Sequence, residues 1–264
     1  MTAACRWSRW IGVLVVVTTT MNAVAPLSAD DLRDPFEKQV WTGSAGGTLP
    51  YCLLSPEKIE PGEQYPLVLF LHGAGERGND NNAQLVHVVR ELAQPPIREQ
   101  FPAFVLAPQC PSNQQWVNVP WGADRHQMPE HPSESLALVI ELLDSVKKTL
   151  PIDKNRIYYT GLSMGGYGVW DLLQRQPEQC AAAIAICGGG DPAYAEKMKN
   201  VPVWAFHGDA DGVVKFHRSV EMVQAIRKAG GRAILTAYPG VGHNSWTVTA
   251  QNRLVWDWLF AQFR

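Results

Sequence analysis

The chain has 264 residues, 46% of them apolar, so a sizeable core can be buried and intrinsic disorder is excluded. With 23 basic and 25 acidic residues the formal charge is −2, and no block of Lys or Arg stands out, which argues against nucleic acid as a partner. Charged residues make up only 18%, whereas tryptophan is abundant at ten, and indoles serve either packing or the binding of flat aromatic and sugar rings.

Residues 1–29 have the layout of a secretory signal. Arg6 and Arg9 form the positive end, and Trp10 to Val17 the apolar stretch. Ala23, Ala25 and Ala29 supply small residues for cleavage, after Ala25 or after Ala29. Thr18, Thr19, Thr20 and Asn22 interrupt the apolar run, which falls short of the roughly 20 residues a membrane span needs. The expected mature protein is secreted or periplasmic, with no stable membrane insertion. Cys5 comes too early, with no small-residue box before it, to carry a lipid. Export leaves Cys52, Cys110, Cys180 and Cys187, which suit either disulfides or buried free thiols.

Residues 30–264 read as one domain without repeats or a long linker. Residues 38–54 form an expected antiparallel hairpin. Continuous apolar runs follow at 66–71, 104–107, 157–160, 181–187, 201–206 and 233–238, most of them ending at Gly or Pro. Runs apolar on both faces are the mark of strands inside a buried parallel sheet. Amphipathic patterns alternate with them. Leu136, Val139, Ile140, Leu143 and Val146 share a helical face over 133–149, with Ser133 as N-cap. Further helices are predicted from just after Ser163 to Arg175, over 216–229 and over 250–262. This order gives an α/β fold, a mostly parallel sheet with helices on both faces. Residues 111–132 hold Trp116, Trp121, His126 and several prolines without a period, as expected of a long loop over one end of the sheet.

Parallel sheets present functional groups at the carboxyl ends of their strands. The strand at 157–160 runs into Gly161-Leu162-Ser163-Met164-Gly165, a G-x-S-x-G at a strand-to-helix junction. A nucleophile in so tight a turn needs tiny residues two before and two after it. The turn exposes the Ser163 hydroxyl and sets the Met164 N–H at a helix N-terminus, where it faces a developing oxyanion. A serine needs a base, and the base needs an orienting acid, which in this architecture follow in the order Ser, Asp or Glu, His. The next strand ends give His207-Gly208-Asp209-Ala210-Asp211 and Gly240-Val241-Gly242-His243. His243 is the expected base. Asp211 is the expected acid because it lies deeper in its loop, before Gly-Val-Val, while Asp209 is expected to brace the loop. The small-residue turn His72-Gly73-Ala74-Gly75 offers the Ala74 N–H as second oxyanion donor, with His72 as a structural residue of that turn. Glu76 and Arg77 either pair or line the pocket. Trp116, Trp121 and Trp246, three residues past His243, are the expected substrate-binding surface, or else cap the core. His207, Asp209 and Asp211 could hold a cation, but no third well-spaced ligand group accompanies them, and no phosphate loop is present.

These segments, with Leu71-His72-Gly73-Ala74-Gly75-Glu76-Arg77-Gly78, Ala107-Pro108-Gln109-Cys110-Pro111 and Gly242-His243-Asn244-Ser245-Trp246, make the chain resemble the secreted α/β-hydrolase serine esterases. More narrowly it resembles the predicted-peptidase and phospholipase/carboxylesterase-like group, related to polyhydroxybutyrate depolymerases and feruloyl and acetylxylan esterases. The resemblance implies an α/β-hydrolase fold without a large cap domain, Ser163, Asp211 and His243 as triad, and no metal or organic cofactor. It implies a carboxylic ester, small or polysaccharide-linked, as substrate. The alternatives are a prolyl-oligopeptidase-like serine peptidase acting on small peptides and, more remotely, a non-catalytic carbohydrate-binding protein.

Overall fold

The computed structural model describes residues 31–33 and 35–264; the leader assigned to 1–29 lies outside the described residues. Strands β1 (Phe36–Thr42), β2 (Thr48–Leu54), β3 (Tyr65–Leu71), β4 (Phe104–Pro108), β5 (Ile152–Leu162), β6 (Ala182–Ile186), β7 (Val203–Gly208) and β8 (Ala233–Tyr238) form one sheet. Its order is β1-β2-β4-β3-β5-β6-β7-β8. The hairpin β1–β2 is antiparallel and β2 pairs antiparallel with β4, while every pairing from β4 through β8 is parallel.

The helices are α1 (Val88–Leu92), α2 (Pro95–Gln100), α3 (Glu134–Thr149), α4 (Met164–Arg175), α5 (Ala195–Met198), α6 (His217–Lys228), α7 (Trp246–Ala250) and α8 (Arg253–Phe260). Strand side chains alternate between the faces. Leu67, Leu69 and Leu71 join the core under α3, α4 and α6, whereas Val68 and Phe70 join the core under α1 and α8. That double burial is why β3 reads as an unbroken apolar run. Ser133 caps α3 as its sequence suggests, its Oγ accepting from the Leu136 amide at 3.1 Å.

The last helix departs from the expected 250–262. It is split into α7 and α8, because the Asn252 side chain accepts from Leu254 N at 3.1 Å and starts a new helix there. Residues 111–132 carry no helix or strand. Cys52, Cys110, Cys180 and Cys187 are all buried free thiols, so no disulfide joins them among the described residues. No helix among these residues is long and apolar enough to cross a membrane.

Candidate active site

The central strand β5 enters α4 through Ser163, which has φ 52° and ψ −118°. Few residues with a Cβ adopt this conformation, and it persists only where the surroundings impose it. The flanking glycines show how. A Cβ on Gly161 would lie 2.4 Å from Gly165 O, and one on Gly165 would lie 1.8 Å from Leu71 O. Only bare backbone passes through this crossing, so β5, α4 and the end of β3 meet closely enough to push the Ser163 side chain out of the turn.

Two loops bring its partners. Backbone contacts tie the loop after β7 to the loop after β8: Ala210 N donates to Val241 O at 3.1 Å, and Gly208 packs so tightly that a Cβ there would sit 2.1 Å from Val241 O. His243 thereby stands between Ser163 and Asp211. Its Nε2 is 2.9 Å from Ser163 Oγ and its Nδ1 is 2.7 Å from Asp211 Oδ2. Asp211 Oδ1 accepts the amides of Val213 at 2.8 Å and Val214 at 3.0 Å. Burial alone would raise the Asp211 carboxyl, but hydrogen bonds from His207, His243 and these amides outweigh it and hold the group well below the usual carboxylate range. Asp209 faces away from this chain of contacts, its Oδ1 accepting Gly240 N at 2.7 Å, the bracing role its position suggests.

The turn after β3 faces Ser163: a Cβ on Gly73 would be 3.6 Å from Ser163 Cβ. Among the described residues, neither Ala74 N nor Met164 N donates to a backbone carbonyl. Both therefore remain free of a backbone acceptor. His72 braces the turn from below. Its Nδ1 lies 2.6 Å from Gly73 O and its Nε2 accepts Cys110 N at 2.9 Å, which makes it the Nδ1–H tautomer. Burial pushes this imidazole down to about 4, so it is a neutral structural group. Glu76 and Arg77 do not pair with each other. Glu76 Oε1 lies 3.6 Å from His87 Nε2, and Arg77 Nε donates to Ala74 O at 2.9 Å.

The three tryptophans part company. Trp116 is a correction: it is 0% exposed, and its Nε1 donates to His72 O at 3.0 Å. It belongs to the core that carries the turn after β3 and lines no pocket, because the loop that holds it tucks the indole edge-on against His72. Trp121 is half-buried. The Arg77 guanidinium lies 5.9 Å from its ring centroid, and its carbonyl accepts the Tyr167 hydroxyl at 2.9 Å. Trp246 stands edge-on to the His243 ring with centroids 5.3 Å apart. The indole N–H groups of Trp121 and Trp246 find no partner among the described residues.

Two neighbours had no signature in the sequence. His87 has φ 57° and ψ −121° and lies 5.5 Å from Trp246 between ring centroids. Cys187, at the end of β6 with φ 40°, brings its Sγ within 4.8 Å of ligand atoms on Asp211 and His243. These three atoms are near enough to hold a cation in principle. Their lone pairs are otherwise engaged: Asp211 Oδ2 and His243 Nδ1 share a proton, and burial pushes the Cys187 thiol up to about 12, which keeps it protonated. The donor set fits a proton relay better than a metal.

A cavity of about 730 Å³ is lined by Arg125, His126, Gln127, Asp191, Pro192 and Glu221. The His126 ring lies 5.6 Å from that of Tyr167 in the first turn after Ser163.

Comparison with known proteins gives a consistent picture. The family model described as phospholipase/carboxylesterase matches residues 57–253. A lysophospholipase-like protein 1 of Mus musculus is 27% identical over 208 residues, covering 74% of this chain and 85% of its own length. A probable feruloyl esterase C of Aspergillus clavatus is 24% identical, covering 69% of this chain and 61% of its own. The crystal structure of a thermostable esterase superposes with a TM-score of 0.82 at 39% identity over 88% of this chain, and this chain spans 64% of that one.

Proposed function

This chain belongs to the phospholipase/carboxylesterase family of ester hydrolases, and we propose that Ser163 is its nucleophile, His243 its general base and Asp211 the acid that orients the base. The observation that carries these roles is the unbroken run from Ser163 Oγ through His243 to Asp211, at 2.9 and 2.7 Å, on a strained strand-to-helix turn. His243 Nε2 accepts the hydroxyl proton as Ser163 Oγ bonds to the ester carbonyl carbon. The carbonyl oxygen becomes an oxyanion held by the amides of Ala74 and Met164. As the tetrahedral intermediate collapses, the bond to the alcohol oxygen breaks and His243 returns the proton to it. Water then enters by the same route and releases the acid. Loss of one oxyanion donor typically lowers the rate about 10²–10³-fold.

The substrate class follows from the walls. Trp246 stands edge-on to His243 and Trp121 lies under the Arg77 guanidinium, half-buried indole faces suited to a flat acyl group. The cavity beside Tyr167 is lined by Arg125, His126, Gln127, Asp191 and Glu221, side chains that exchange hydrogen bonds with hydroxyl groups. We read the acyl part as lying on the tryptophan side and a hydroxyl-rich alcohol, such as a sugar of a polysaccharide, as lying in the cavity. Residues 1–29 are read as an export leader for a secreted or periplasmic enzyme, which N-terminal sequencing of the mature protein tests.

The deciding experiment combines a fluorophosphonate probe with a panel of acetyl, feruloyl, polyhydroxyalkanoate and peptide substrates. Labelling at Ser163 alone, with esters cleaved far faster than the matching amides, is the expected result. Preferential cleavage of peptides would overturn the ester assignment, and labelling elsewhere or nowhere would overturn the nucleophile. Glu221→Ala should raise KM for a sugar ester and leave that for a methyl ester unchanged.

A further inference from the structure

His207 is the penultimate residue of β7, four residues before Asp211, and is 0% exposed. Its Nε2 lies 3.2 Å from Asp211 Oδ2 and 3.0 Å from Val214 O. Both neighbours are acceptors, so the ring carries a proton on Nε2, which is hydrogen-bonded to Val214 O and stands beside Asp211 Oδ2. The ring itself is fixed. Its Nδ1 meets the Ser219 hydroxyl on α6 at 2.7 Å, and Phe216 packs edge-on against it with centroids 5.7 Å apart.

The Asp211 carboxylate thus accepts three hydrogen bonds, from the amides of Val213 and Val214 on Oδ1 and from His243 on Oδ2, and has the His207 imidazole 3.2 Å from Oδ2. Its side chain is fully buried. The two amides come from the same loop as Asp211 and move with it. His207 alone ties Oδ2 to the sheet and to α6. We propose that His207 is a positioning residue for the triad, its Nε2 side holding Asp211 Oδ2 in the plane of the His243 ring and the Val214 turn beneath it. The inference rests on the assignment of Ser163, His243 and Asp211 made above.

The mechanism makes a distinction that substitution can read. A glutamine at 207 places an amide N–H₂ where the histidine has Nε2 and still reaches Asp211. An asparagine places its amide where the histidine has Nδ1, and so reaches Ser219 but not Asp211. Both are polar and smaller than histidine, so a merely structural role would leave the two variants alike.

The test measures kcat and KM of His207→Gln and His207→Asn per active site, with sites counted by fluorophosphonate labelling of Ser163. The expected outcome is a kcat within about threefold of wild type for H207Q and at least tenfold lower for H207N, with KM unchanged in both. Equal kcat in two folded, labelled variants overturns the inference and leaves the triad standing. Failure of the wild type to label at Ser163 overturns the triad itself. Should H207N not fold, the wild type supplies a second measurement. The exchange-protected His207 Nε2–H proton resonance should move when the probe occupies Ser163, and a resonance that stays in place overturns the inference.

Discussion

Asp209 and Asp211 leave the same strand end, yet their carboxylates meet different groups: Asp209 Oδ1 accepts Gly240 N and Asp211 Oδ2 accepts His243 Nδ1, each at 2.7 Å. One fastens the acid-bearing loop to the base-bearing loop, and the other touches the base. Asp211→Asn puts an amide donor or an uncharged acceptor against His243 and upsets its tautomer, so kcat should fall by about 10³–10⁴. Asp209→Asn keeps an oxygen for Gly240 N, so kcat should stay within a few-fold of wild type. Steady-state kinetics on the two purified variants check this, and a larger loss in D209N would show that the acid has been misassigned.

The strain at Ser163 leads to a second expectation. At φ 52° and ψ −118° a residue with a Cβ carries about 1–3 kcal/mol of backbone strain that glycine does not. Ser163→Ala and Ser163→Gly should both abolish ester hydrolysis. Glycine's greater freedom in the unfolded chain offsets part of the relief. S163G should still be the more stable by about 1 kcal/mol, or roughly 2–4 °C in Tm. Calorimetry on the two inactive variants decides it; equal melting temperatures would mean that the turn is not strained.

How much of this was legible in the sequence depends on local period. The strands were readable because β3, β5 and β6 are apolar on both faces, and α3, α4 and α6 because each shows one apolar stripe across three turns or more. The elbow was readable because Gly161 and Gly165 have a steric reason to be glycine. Helices α1 and α2, with five and six residues, are too short for a 3.6-residue period to declare itself. Trp116 and Trp121 lie five residues apart in an aperiodic loop, and nothing local separates the one packed on His72 from the one under Arg77. The contact between His207 and Asp211 was hidden because the apolar run stops at Phe206 and nothing local says which way the His207 ring points, and only the return of the chain over Val214 brings the carboxylate to it. Asn252 was the one signal left unused, a good N-cap residue inside a stretch read as a continuous helix.

Acid should weaken the fold through His72 before it reaches the carboxylates. Burial holds this imidazole at about 4, below the roughly 6.5 of an unfolded chain. Between those values the unfolded state binds a proton that the native state does not, so stability falls as pH drops below about 6.5 and the loss levels off near pH 4. The full loss is on the order of 3 kcal/mol. His126, also lowered to about 4 by burial and by the nearby Arg218, adds a contribution of the same sign. The Asp211 contribution is lost only at lower pH, below the carboxylate range of the unfolded chain. Urea midpoints at pH 7, 5.5 and 4.5 should therefore decline steeply for the wild type. They should decline less for His72→Gln, whose baseline is lower but which retains only the His126 share. Parallel slopes would show that His72 titrates in the native protein.

The tryptophans provide the last expectation, because two residues of the same type occupy opposite environments. Trp116 is enclosed, hydrogen-bonded to His72 O and packed against that ring, so Trp116→Ala leaves a large cavity beneath the turn that carries Ala74. The loss should be about 3–5 kcal/mol, with poor soluble yield. The molecules that do fold should rank substrates as the wild type does, since no part of the indole reaches solvent. Trp246 stands half-exposed at the first position of α7, with one edge against His243 and its N–H buried without a partner. Trp246→Ala removes less enclosed volume, and Tm should drop by only a few degrees. It strips the flat wall beside the base, so kcat/KM should fall about tenfold or more for a feruloyl ester and far less for an acetyl ester. Relative rates on the two esters, set beside thermal melts of both variants, check the pair of outcomes. If W246A instead lowered both rates equally, Trp246 would serve the His243 ring rather than the substrate, and the flat acyl surface would have to be sought at Trp121.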